Sequence, residues 1–259
     1  MKETLKLALI QAPLEWENPA ANRAYFSGKI SSISENVDLV ILPEMFTTGF
    51  TMNATPNAEP MDGPTVEWMK TLAKEKNIAI TGSVIIQENE NYFNRMLFVT
   101  PEGVIGKYDK RHLFTLAKEE KTYSPGKEKV IIDYKGWNIC LMICYDLRFP
   151  VWSRNVEGYE LILYVANWPK ARVNAWDILL QARAVENMAY CAGVNRVGMD
   201  GDGYEYVGHS AVYDGLGKLI TDSLPEEEEI KIVSIDKEHL EKIRTQLKFL
   251  NDKDEFQLL

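Results

Sequence analysis

The chain is divided into apolar runs of strand length, some joined by tight turns and some by helices, and this mixture constrains the fold most. Ile78 to Ile86 and Tyr92 to Val99 flank Glu88-Asn89-Glu90-Asn91, a hairpin turn. Val130 to Tyr134 and Trp137 to Ile143 pair around Lys135-Gly136, and His209 to Tyr213 and Lys218 to Thr221 around Asp214-Gly215-Leu216-Gly217. Other strands are joined by helices. Leu5 to Gln11 reaches Val37 to Leu42 through the helix read over Asn22 to Ile33, and Leu161 to Val165 reaches Tyr190 to Val197 through Trp176 to Met188. Between them Thr65 to Lys76 shows one apolar face of Val66, Met69, Leu72 and Ala73. Hairpins and helix-joined strands together require a mixed sheet, and two sheets covered by outer helices satisfy that requirement. Lys231 to Ile235 is the last strand, and residues 237–259 read as helix followed by irregular chain. No repeat, linker or low-complexity segment interrupts the 259 residues, so the expectation is one α/β domain over 1–259.

Three of these runs stop at residues with chemistry to offer. The run Trp137 to Ile143 ends at Cys144 and is followed by polar residues and a helix-like segment. That placement is expected to lift the thiol out of the sheet and expose it at a turn, beside backbone N–H donors. A nucleophile so placed is what acyl transfer through a thioester needs. Cys140 and Cys191 lie inside apolar runs and read as small buried hydrophobes. Leu39 to Leu42 is stopped by Pro43, which leaves Glu44 at the strand's end. Glu44 reads either as a partly desolvated general base or as a solvated loop carboxylate. Gly106 to Phe114 follows the short strand Val104-Ile105 and brings Lys110, which suits an oxyanion or a thiolate. Lys107 and Arg111 read as parts of a basic surface loop. The loop over Thr47 to Asp62 is long enough to suggest a functional role.

Charge and composition narrow the partners. A net charge of −9 and 46% hydrophobic residues argue for a sizeable core and against nucleic acid or anionic membranes as partners. The three cysteines have no metal-ligand spacing, and no metal or cofactor is expected. His112, His209 and His239 are scattered; only His112 is a plausible partner for a Cys–His dyad. Free thiols, with no secretory h-region and no run long enough to span a bilayer, point to the cytoplasm. Pro225-Glu226-Glu227-Glu228-Glu229 reads as a solvated acidic loop.

Leu42-Pro43-Glu44, Tyr108-Asp109-Lys110-Arg111-His112-Leu113-Phe114 and Ile143-Cys144-Tyr145-Asp146-Leu147-Arg148-Phe149-Pro150 occur in that order. Together they resemble the nitrilase superfamily, the carbon–nitrogen hydrolases, in order and in spacing, over nearly the whole chain. The segment from Tyr145 to Asn155 resembles the omega-amidase branch, including its bacterial members.

The resemblance implies a four-layer αββα sandwich, with Cys144 as nucleophile, Glu44 as general base and Lys110 as third member. A second glutamate precedes Ser124-Pro125-Gly126; counting back favours Glu119 over its neighbour Glu120. Gln181 to Asn187 resembles a helix that supports the site, in which Arg183 and Glu186 can form a structural pair. The implied reaction is hydrolysis of the omega-amide of 2-oxoglutaramate or 2-oxosuccinamate through a thioester, with the N–H of Tyr145 and Lys110 on the oxyanion. Other linear amides, nitriles, N-carbamoyl compounds or plain binding on the same fold are the alternatives. A distal carboxylate needs a cation, and Arg148 is its candidate, unless it pairs with Asp146 or a helix end. Phe46, Phe50, Phe114, Asn167 and Trp168 are candidates for the pocket lining or, equally, for ordinary packing. The tail from about 237 is expected at a partner subunit in a homodimer or larger homo-oligomer.

Overall fold

The computed structural model describes residues 3–222, 224 and 226–256. In chain order the strands are β1 (Thr4–Gln11), β2 (Leu39–Ile41), β3 (Ala79–Glu88), β4 (Asn91–Thr100), β5 (Gly103–Asp109), β6 (Ile131–Tyr134), β7 (Trp137–Ile143), β8 (Leu161–Ala166), β9 (Tyr190–Asn195), β10 (Val197–Met199), β11 (Glu205–Val207), β12 (Ala211–Tyr213) and β13 (Glu229–Asp236). The helices are α1 (Pro19–Ser31), α2 (Ala54–Asn57), α3 (Pro64–Lys76), α4 (Pro150–Ser153), α5 (Val173–Asn187) and α6 (Lys237–Leu247).

Two mixed sheets form, an arrangement that accommodates both hairpins and helix crossovers. One runs β13-β1-β2-β3-β4-β5 and the other β12-β9-β8-β7-β6. In the first, β1, β2 and β3 are parallel and β13, β4 and β5 antiparallel to their neighbours. In the second, β7, β8 and β9 are parallel, with β6 and β12 antiparallel at the edges. Alternation along β1 sorts its side chains between two cores. Leu5, Leu7 and Leu9 join the core between the sheets, with Tyr108, Leu141 and Leu163. Ala8 and Ile10 face the other way, against Phe26 of α1 and Val66 and Met69 of α3. Trp176 and Leu180 of α5 and Leu240 and Ile243 of α6 pack with the second sheet. A Cβ on Gly193 of β9 would stand 2.7 Å from the Trp176 ring, so α5 lies as close as a bare backbone allows. The layers are α, β, β, α.

Four readings of the chain change. The strand expected at Lys218 to Thr221 is reduced to one bridge, Tyr213 with Leu219. The Asp214 carboxylate accepts the N–H groups of Leu216 and Lys218 in the turn, and beyond it the pairing is confined to the backbone bonds Asp214 to Lys218 and Ile220 to Val212 around that bridge. The strand expected over Tyr190 to Val197 stops at Asn195, whose Oδ1 accepts the N–H groups of Trp168 and Arg196. The chain then turns into the small hairpin of β10 and β11, which sequence reasoning missed. β5 outgrows Val104-Ile105 and carries Lys107 within the sheet. In the acidic run Glu226, Glu227 and Glu228 are exposed, as expected; Pro225 lies outside the described residues, as do 257–259 of the tail.

Candidate active site

The ends of four strands converge on one cavity. Glu44 follows β2, Lys110 follows β5, Cys144 follows β7 and Asn167 follows β8. Three of these strands are central and parallel, and their carboxyl ends open on the crevice where ligands of such sheets bind.

Cys144 takes φ 45°, a left-handed conformation rare for a side chain larger than glycine's. The chain reverses there into a 3₁₀ turn over Cys144–Arg148. Leu147 of that turn is gripped from α5, where the buried Arg183 donates 2.6 Å to its carbonyl and 2.9 Å to Glu186. The structural Arg183–Glu186 pair is therefore present and also braces the turn that carries Cys144. The expected exposure of Cys144 is not: only 9% of the residue is accessible. Burial, then the neighbouring Glu44 carboxylate, push its thiol pKa well above the ordinary 9.0, with Lys110 opposing.

Glu44 is fully buried, which removes the solvated-loop alternative. Its Oε1 accepts Lys110 Nζ at 2.9 Å and Asn94 Nδ2 at 2.8 Å, and its Oε2 accepts the N–H of Asn167 at 2.8 Å. Lys110 Nζ also donates to both oxygens of Glu119, at 3.1 and 3.0 Å, and lies 4.9 Å from the Phe50 ring centre. Glu119 is buried and accepts the N–H of Phe114 at 2.6 Å, whereas Glu120 is exposed, so Glu119 is the glutamate that faces the lysine. Burial would lower the Lys110 pKa, but Glu119 and Glu44 outweigh it and hold the ammonium charged. Burial raises Glu119, Lys110 opposes, and Glu44 adds to the rise. Two sealed carboxylates and one ammonium favour retaining a proton, and Glu119 is the group whose affinity for it is raised.

The cavity beyond the thiol measures about 410 Å³. Phe50, Phe114, Tyr145, Arg148, Asn167 and Trp168 all line it, as the sequence suggested. Phe46 does not. The left-handed Met45 (φ 43°) turns the chain so that Phe46 packs edge-on to Phe26, 5.6 Å away, in the helix-side core. Arg148 lies over the Trp168 ring at 5.0 Å. It has no hydrogen bond or ion pair among the described residues, and Asp146 is engaged with His112 instead. His112 Nδ1 lies 2.7 Å from Asp146 Oδ1, so this histidine serves a carboxylate and not the thiol.

Sequence reasoning missed several wall residues. Arg172 lies over Phe114 at 5.1 Å, and its carbonyl accepts Trp168 Nε1 at 2.8 Å. Like Arg148 it has no carboxylate partner among the described residues. Its signal was available: Lys170 and Arg172 follow a strand end already singled out. Asn94, inside β4, gave no signal. Asp200, Tyr204 and Tyr206 reach the cavity from the β10–β11 hairpin. Asp200 is already satisfied by the N–H groups of Asp202 and Tyr204 and by the Tyr206 hydroxyl, whereas the carboxylate of Asp202, also on the wall, has no partner among the described residues, so Arg148 and Arg172 share the wall with one open acid. Among the described residues no group of three or more His, Cys, Asp or Glu side chains is arranged to hold a metal ion. No helix among them is long and apolar enough to cross a membrane.

Residues 6–245 match the family model of carbon–nitrogen hydrolases. The sequence is 44% identical over 256 residues to the omega-amidase YafV of Yersinia enterocolitica, covering 99% of each chain. It is 31% identical to the 2-oxoglutaramate amidase of Bacillus subtilis, covering 95% of this chain and 96% of that one. The fold superposes with a TM-score of 0.96 on a CN-hydrolase superfamily protein of Xanthomonas campestris that carries an arsenic adduct in its active site. That protein is 43% identical, and the match covers 99% of this chain and all of the other.

Proposed function

The chain belongs to the carbon–nitrogen hydrolase family, and from that premise we propose that it hydrolyses the omega-amide of a dicarboxylic acid monoamide, 2-oxoglutaramate or 2-oxosuccinamate. Two relatives are an omega-amidase and a 2-oxoglutaramate amidase, which supports the substrate class. The observation that carries the reading is a buried thiol with a carboxylate and an ammonium beside it, facing a cavity lined by two guanidinium groups that have no carboxylate partner among the described residues.

Glu44 takes the Cys144 proton as sulfur attacks the amide carbon. The negative charge passes to the carbonyl oxygen, which Lys110 and the N–H of Tyr145 receive in a nearly dry site. Glu44 returns the proton to the departing nitrogen, releasing ammonia and leaving a thioester. Water, deprotonated by Glu44, attacks the thioester carbon, and the thiol and the free acid are regenerated. Burial and the Glu44 carboxylate both favour the protonated thiol, which gives Glu44 a proton to remove as sulfur attacks. Glu119 holds the ammonium from the side opposite Glu44. At the far end Arg148 forks onto the substrate carboxylate, with Arg172 beside it. With this reading we keep a cytoplasmic homodimer; the exposed tail residues Leu247 and Phe249 are apolar side chains that a subunit contact would cover. Sedimentation of the purified protein tests it, and a monomer would remove it.

The test of the activity is ammonia release from 2-oxoglutaramate, 2-oxosuccinamate, glutamine, an N-carbamoyl amino acid, a nitrile and an aliphatic amide. Selective turnover of the two 2-oxo acid amides is expected. Turnover confined to another compound would keep the thioester chemistry and replace the substrate.

A further inference from the structure

Lys110 extends from one sheet and Cys144 from the other, so their separation depends on something that spans the sheets. One buried carboxylate does so. Asp146 Oδ2 accepts the Tyr108 hydroxyl at 2.7 Å and the N–H of Ile143 at 3.0 Å. Its Oδ1 accepts the N–H of His112 at 3.0 Å and lies 2.7 Å from His112 Nδ1. Tyr108 and His112 stand two residues before and two residues after Lys110; Ile143 and Asp146 bracket Cys144. The same group therefore holds the chain on both sides of the lysine and on both sides of the nucleophile.

The direction of each bond is fixed. Tyr108 Oη accepts Trp152 Nε1 at 3.0 Å and the N–H of Arg111 at 3.3 Å, so its own proton is committed to Asp146. An ionised carboxylate only accepts, so His112 donates from Nδ1. The imidazole is held flat on Phe149, with ring centres 3.6 Å apart and planes 5° apart. No lysine or arginine pairs with Asp146 among the described residues; the Tyr108 hydroxyl, the N–H groups of Ile143 and His112 and the His112 ring satisfy it. An off-preference backbone such as that of Cys144 persists only where its surroundings over-determine it, and here the clamp spans the residue.

We infer that Asp146 is a positioning residue that sets the Lys110 ammonium against the Cys144 sulfur across the two sheets, and that His112 serves it as a hydrogen-bond donor. The inference rests on the thioester reading only for its kinetic readout. Two measurements on the full chain test it: steady-state kinetics on 2-oxosuccinamate, and the rate at which iodoacetamide alkylates Cys144, which requires no substrate assignment.

In Asp146→Asn one carboxylate oxygen becomes an NH₂ facing donors. The expected result is a kcat lower by about 10²-fold, KM within about threefold, and slowed alkylation, since misplacement by about 1 Å carries penalties of that size. Tyr108→Phe removes one donor and keeps the ring; kcat is expected to fall about tenfold, and this variant decides alone if Asp146→Asn does not fold. His112→Asn places an amide donor near the Nδ1 position and is expected to keep kcat within about tenfold. Folded Asp146→Asn and Tyr108→Phe with unchanged kcat and alkylation, or with a loss confined to KM, would overturn the inference. Abolition of activity by His112→Asn would overturn the donor role. If wild type leaves the amides untouched, the functional reading falls, and the alkylation rates still decide the role of Asp146.

Discussion

At the scale of the residue, the site shows how burial changes what a side chain is. A glutamate after a strand is ordinarily solvated, but Glu44 makes three hydrogen bonds in the protein interior. A free thiol ionises near 9.0, but Cys144 holds its proton far more tightly. Replacing Cys144 by Ala is expected to abolish turnover in a protein that stays folded; wild-type-like activity would refute the thioester mechanism. The left-handed backbone at this position carries a strain of about 1–3 kcal/mol. Cys144→Gly is therefore expected to match or exceed the stability of Cys144→Ala in urea, despite glycine's greater loss of chain entropy. A glycine variant clearly weaker than the alanine variant would show that the turn is unstrained. Arg148→Ala removes a charged hydrogen-bonding partner of the substrate, so kcat/KM for 2-oxosuccinamate is expected to fall about 10- to 100-fold. A neutral aliphatic amide, if turned over, provides the control; equal losses on both would make Arg148 a structural residue.

At the scale of the element, the groups proposed to be catalytic stand where strands end. The stops were legible: Pro43 closes one apolar run and polar residues close the run before Cys144. The β5 strand was only partly legible, because Gly106-Lys107-Tyr108-Asp109 has no apolar signal of its own. Pairing with β4 makes it a strand, and its end delivers Lys110. Gly126 secures that delivery. Its N–H donates 2.9 Å to the Lys110 carbonyl, and its own carbonyl accepts Arg111 Nη1 at 3.1 Å. A Cβ there would lie 2.8 Å from the Asp109 carbonyl carbon, against backbone that has no room to yield. Gly126→Ala is expected to cost about 1–3 kcal/mol in denaturant and most of kcat. A variant as stable and as active as wild type would show that the lysine tolerates a shifted backbone.

At the scale of the whole molecule, burying so many ionisable groups without charge gives stability a pH dependence. Cys140, Cys144 and Cys191 all have pKa values raised above 9.0, in each case chiefly by burial. Burial likewise raises Tyr108, Tyr159 and Tyr164 well above 10.0. The folded protein keeps these protons at a pH where the unfolded chain releases them, so the unfolded state binds fewer and stability falls as pH rises. The loss begins near the unfolded thiol value of 9.0 and steepens past 10.0, at up to about 1.4 kcal/mol per pH unit for each group. The urea midpoint is expected to be level from pH 7 to 8 and to drop between pH 9 and 10.5; a flat profile would mean that the thiols ionise inside the fold.

The sequence by itself determined the class of fold and the identity of the chemical groups. Hairpin spacing and helix crossovers are local properties, and they give one α/β domain with mixed sheet; the four-layer arrangement was what the family resemblance implied. Strand stops, equally local, left Glu44 and Cys144 at the sheet ends, whereas Lys110 reaches its sheet end only because β5 pairs with β4. What surrounds those groups is a matter of distance in space. Only the packed sheets closed the site over Cys144, brought Asn94 to Glu44 across 50 residues and set Glu119 against Lys110. The same packing drew Phe46 into the core and turned Arg172 towards the cavity. Hydrophobic periodicity reports which face a residue presents, and it carries no record of which remote segment will meet that face. Burial and electrostatic coupling arise from that meeting, so they were decided by the tertiary structure alone.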